Sequence, residues 1–160
     1  MYYLNVTVHV LAALFWLGGM FFLAVVGAPV LRKVEPPELR AQLFQALGQS
    51  FRTSGWIAIT VLVVTGIGNL QFAGVLSAEV MGAQGFWGTP YGVALSWKLG
   101  AVTAMIVISA LHDFVLGPLA GRLERGTAEA ATARRRAALL ARVNAVLGLV
   151  VVIAAVRLAR

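Results

Sequence analysis

The chain has no cysteine among its 160 residues. That absence excludes disulfides, thiolate metal sites, iron–sulfur clusters and covalent c-type haem attachment. Charge is scarce as well. Only 12% of the residues are Asp, Glu, Lys or Arg, about half the share usual in soluble domains, while 60% are apolar. A soluble fold and intrinsic disorder are both excluded by these proportions. Six acidic residues stand against thirteen basic ones, for a net charge of +7. No serine, histidine and carboxylate constellation for hydrolysis is present, nor a phosphate-binding glycine loop. Glu79 has no carboxylate neighbour in sequence, so a paired-carboxylate mechanism has nothing to work with. Any chemistry has to come from a bound cofactor or ion.

What the chain does have is long apolar runs. A spanning helix needs ~20 mostly apolar residues, and four stretches qualify, at about residues 6–31, 55–76, 91–119 and 137–158. The fold class expected is an all-α membrane protein, a four-transmembrane-helix bundle forming a single domain over residues 1–160. The first stretch carries no formal charge. It is longer than a signal-peptide core and lacks a basic leader, so it reads as a retained helix.

The basic residues orient the spans. Arg32, Lys33, Arg40 and Arg52 lie in the first connection, and Arg122, Arg125, Arg134, Arg135, Arg136 and Arg142 in the third. The second connection, residues 77–90, has no Lys or Arg. Connections one and three are therefore expected in the cytoplasm and both termini outside. Topology accounts for the arginine run, and no nucleic-acid partner is called for. Arg157 and Arg160 go against the trend. In the first connection, Pro36 and Pro37 suit a helix start, and Leu39, Leu43, Leu47 and Phe51 recur every four residues. This pattern predicts a short amphipathic helix on the cytoplasmic face. No internal repeat of fixed period is evident.

Ionisable groups inside spans are costly, so each is a functional candidate. They are His9 in span 1; Lys98, His112 and Asp113 in span 3; and Arg142 and Arg157 in span 4. At ~1.5 Å per residue, His9 and Lys98 lie about 10–11 Å outside the midplane and His112 about 10 Å inside it. His9 and Lys98 match in depth, whereas His112 is too far away to share their ion. His9, Ala13, Trp16 and Met20 share one helix face, and Lys98, Met105 and His112 another. Arg52, Asp113, Arg142 and Asn144 lie at one level and are expected to tie spans 2, 3 and 4 together as a structural polar cluster. His112 with Asp113 has a second reading as a cofactor or proton site. Lys98 is either a ligand or a snorkelling lysine.

These residues resemble a known family. Span 1 reads HVLAALFWLGG, span 2 opens FRTSGW and closes VVTGIGNL, and span 3 carries SWKLG and then ALHDF. The pattern is similar to the CopD-like copper-resistance membrane proteins and the HemJ-type protoporphyrinogen oxidases. The resemblance implies a multi-pass protein of a prokaryotic-type inner membrane. It implies haem b near the outer face, with His9 and Lys98 on the iron and Trp16 and Met105 in the apolar walls. Arg157 would then pair with the propionates or, failing that, snorkel to headgroups. The role implied is electron transfer or oxidation of a small molecule, with a quinone or an unknown redox partner. The alternative is copper transport or resistance, with His9, Met20, Met105 and His112 as donors at several depths. Small residues on outward helix faces permit a homodimer within the lipid bilayer.

Overall fold

Hydrocarbon offers the backbone no hydrogen-bond partner, so a chain this apolar must satisfy its own N–H and C=O groups within helices. The computed structural model describes residues 1–122 and 127–158, and among these there is no strand. Arg125 and Arg160 lie outside the described residues. Four helical rods are long and apolar enough to cross a membrane: Tyr2–Leu31, Pro37–Phe72, Pro90–Leu119 and Ala128–Leu158. The chain divides into two units, Met1–Ala83 and Gln84–Arg160.

In the first unit, α1 (Tyr2–Phe22) passes through a π turn (Leu23–Gly27) into α2 (Ala28–Leu31). After the Pro36–Pro37 start, α3 runs from Pro37 to Phe72, and α4 (Ala78–Gly82) follows with Ser77 as its cap. The π turn has a sequence cause. Pro29 has no N–H, and its ring would crowd the carbonyl of Val25 one turn earlier, so the helix widens there. The amphipathic segment expected after Pro37 is present as the first turns of α3, which runs on unbroken because nothing in AQLFQALGQSFRTSGW stops a helix. At ~1.5 Å per residue its 36 residues reach about 54 Å. A bilayer core of ~30 Å leaves several turns outside. The helix stops where Gly74 takes φ +69. Gly74 N–H then donates to the Gln71 carbonyl and Val75 N–H to the Leu70 carbonyl, each at 3.0 Å. This is a glycine-terminated Schellman cap.

α1 packs along α3. Trp16, the buried residue of α1, lies against Gly55, where an added Cβ would stand 3.7 Å from the indole Cδ1. Small residues let one helix accept the side chains of the other.

In the second unit, Thr89 caps α5 (Pro90–Ala110) by accepting from Gly92 N–H at 3.0 Å. A π turn (Leu111–Leu116), α6 (Gly117–Arg122) and α7 (Ala128–Leu158) complete it. α5 packs along α7 around a fully buried Met105, with Ala133, Ala145 and Ala154 keeping the helices close. Asn144, 4% exposed, donates through Nδ2 to Ser109 Oγ at 2.9 Å.

The two units repeat one plan: a 21-residue helix, a π turn, a short helix and a long helix. Equivalent positions stand 89 residues apart, as in Tyr2 and Tyr91, His9 and Lys98, Trp16 and Met105, and Pro29 and Pro118. Burial keeps the same register on the long helices, where Gly55 and Asn144, Ile59 and Gly148, and Thr65 and Ala154 are all buried. The repeat escapes a sequence search because it lies in helix order and burial, with few identical residues.

Candidate functional site

The first unit carries a polar seam inside its apolar helix pair. Asn5 and His9 are one turn apart on α1, and Thr65 and Asn69 are one turn apart on α3. Asn5 Nδ2 donates to the Thr65 carbonyl at 2.9 Å and to Asn69 Oδ1 at 2.8 Å. His9 Nδ1 lies 2.8 Å from Thr65 Oγ1. Two glycines make the room. A Cβ on Gly68 would fall 2.8 Å from Asn5 Oδ1, and one on Gly66 would lie 3.5 Å from His9 Cε1. The TG and GN pairs of VVTGIGNL thus alternate an anchoring polar residue with a gap for a side chain of α1.

The Thr65 hydroxyl lies 2.6 Å from the Val61 carbonyl, a ready acceptor for its one proton. With that proton committed there, a neutral His9 would direct Nδ1–H at Thr65 and hold its lone pair on Nε2. Thr65 is 8% exposed, which leaves water little access to replace it. The imidazole lies about 11 Å from the middle of the Tyr2–Leu31 rod.

The other sequence-predicted residues lie as follows. Trp16 is buried two turns beyond His9. Lys98, in the second unit, is half-buried on α5 beside Trp97, which is 66% exposed. Met105 is fully buried, and Arg157 is exposed in the last turn of α7. His112 Nδ1 lies 2.8 Å from Asp113 Oδ1 on the second π turn. Asn144 is bonded to Ser109, and Arg142, two residues before it and so on the other side of the helix, is exposed. Arg52 is half-buried on α3 of the first unit. Among the described residues no three His, Asp or Glu side chains gather as a metal cage. Sequence reasoning missed Asn5 and Thr65 as members of the site. The available signal was two polar pairs at i, i+4, Asn5 with His9 and Thr65 with Asn69, each on an otherwise apolar helix.

A family model described as copper resistance protein D matches residues 45–158, more than two thirds of the chain. The match includes Thr65, Asn69, Lys98, His112 and Asp113 and begins after α1. A curated protein of Aquifex aeolicus (strain VF5), described as uncharacterized, is 33% identical over 110 residues. The aligned region is 68% of this chain and 66% of that relative, so the chain spans just under two thirds of the relative's length. No solved structure matches.

Proposed function

The chain belongs to the copper resistance protein D family, and from that premise we propose that it handles copper in the membrane, with His9 as a ligand for the passing ion. The observation that carries this reading is the 2.8 Å contact between His9 Nδ1 and the Thr65 hydroxyl, which in a neutral ring would leave the lone pair on Nε2. Imidazole suits copper in either oxidation state. A ligating histidine characteristically donates its other ring N–H to a fixed acceptor, which here is the Thr65 hydroxyl. A neutral imidazole among neutral amides binds a cation without the deep well that opposing carboxylates would create. Transport requires this, because an ion must leave as readily as it arrives.

The basic first and third connections support placing the chain with both termini outside. An ion arriving from the outer face then meets Asn5 and Asn69 before His9. Haem b has no observation of its own in its favour.

The test is copper uptake into proteoliposomes that hold the purified protein. His9→Ala should slow uptake at least tenfold while the protein still reconstitutes. Uptake unchanged in His9→Ala combined with His112→Ala would remove the proposal. A Soret band that survives purification and disappears in His9→Ala would replace copper with haem.

A further inference from the structure

The long helix of the second unit has a charge at each end of its apolar stretch. No residue from Val143 to Val156 is charged, and Arg142 and Arg157 bracket the run. At ~1.5 Å per residue the two arginines stand about 22 Å apart along α7, whereas a bilayer core is ~30 Å thick. At least one of them therefore starts from within hydrocarbon, where a guanidinium has to reach water or an anion.

Arg142 has no anion within its own unit. Asn144, two residues on, bonds Ser109 of α5 at 2.9 Å, and Ala130, Ala133 and Gly148 are buried on that same side. Arg142 is exposed on the opposite side, where no carboxylate among the described residues pairs with it. A line of exposed residues shares its side instead. Arg135, Leu139, Arg142, Val146, Leu149 and Ile153 recur at intervals of three or four along α7. Both arginines are exposed, and the four apolar residues are 50–61% exposed. A second copy docked symmetrically on this line would set Arg142 against its own equivalent, since a two-fold interface joins the same patch on both chains. The charge on the line calls for an anion with an apolar body.

We propose that this face of α7 binds an anionic phospholipid. Its phosphate is held between Arg135 and Arg142, and its acyl chains lie along Val146, Leu149 and Ile153. The two arginines are about 10.5 Å apart along the helix, a gap that two long side chains close by converging on one phosphate. Guanidinium offers parallel N–H donors that match phosphate oxygens. The basic connections orient the chain whatever lipid surrounds it; selection of an anionic headgroup at one face is a separate property, and it does not rest on the copper reading.

The experiment titrates the full-length protein in neutral detergent with phosphatidylglycerol or with phosphatidylcholine of the same acyl chains. Native mass spectrometry reads the fraction bound. Phosphatidylglycerol should bind at least about fivefold more tightly, and Arg135→Gln and Arg142→Gln should each weaken it about fivefold, leaving phosphatidylcholine unchanged. Arg142→Lys keeps the charge and should lose less than Arg142→Gln. Arg122→Gln removes an equal charge from α6, off this line, and should bind as wild type does. Equal affinity for the two lipids, or an equal loss in Arg122→Gln, would overturn the site. The same spectra report assembly: a dimer that forms without bound lipid and is lost in Leu139→Ala would give the line to a second copy and overturn the proposal.

Discussion

Thr65→Val removes one oxygen from the seam and keeps the shape of the side chain. In the native chain His9 Nδ1 lies 2.8 Å from that oxygen. Valine leaves Nδ1 without this partner at a position 8% exposed, so a ring that had its proton on Nδ1 must rotate or move it to Nε2. The hydrogen bond itself contributes about 0.5–1.5 kcal/mol net. Its effect on a bound ion is larger, since loss of an outer-shell partner typically weakens a metal site by about 10–100-fold. That factor equals ~1.4–2.7 kcal/mol. Thr65→Ser restores the oxygen and should bind as wild type does. Equilibrium titration of the purified protein in detergent with Cu(I), against a chromophoric chelator, reads the affinity, and nitrogen NMR of ¹⁵N-labelled histidine reads the tautomer. A Thr65→Val protein that binds copper with native affinity and keeps the proton on Nδ1 would refute the reasoning.

Two further changes test the packing. Gly68→Ala places a methyl group 2.8–3.1 Å from the Asn5 amide and should destabilise the protein by about 1–3 kcal/mol. Adding Asn5→Ala in the same chain should recover much of that loss. Gly66→Ala meets His9 only at 3.5 Å and should stay within about 0.5 kcal/mol. Unfolding in mixed detergent compares these variants. Pro118→Ala supplies the missing N–H, so Leu111–Leu116 should close to a regular helix and draw His112 away from Asp113. The expected readout is a change in the His112 nitrogen shifts; unchanged shifts would mean that the proline does not hold the turn open.

Much of the architecture was legible in the sequence because it follows from composition. The four apolar runs become the four rods, and the leucines at 39, 43 and 47 mark a real helical stripe. Helix continuity was harder to read. The amphipathic turns after Pro37 and the apolar span after Gly55 look like two elements by composition, but a helix ends only where a breaker or cap ends it, and none intervenes. The seam was partly hidden for a different reason. A helix that is apolar on every side shows no inward face, so the polar residues are the only markers of register. Asn5 and Thr65 look unremarkable until they are paired across the two helices. Both π turns were invisible as turns, although Pro29 and Pro118 were in plain view, because a proline within a span predicts disturbance without its form.

The 89-residue register means that the chain carries its own reference copy. Where the first unit has Asn5, His9, Thr65, Gly68 and Asn69, the second has Ala94, Lys98, Ala154, Arg157 and Leu158. At these stations the first unit has neutral polar side chains and a glycine, and the second has apolar residues with Lys98 and Arg157. At the π turns the contrast reverses, for Leu23 and Ala24 face His112 and Asp113 across the alignment. The histidine of each unit thus falls near the opposite end of its leading rod. A chimera carrying the first unit's five residues in the second would ask directly whether those side chains suffice, with the fold itself as the constant.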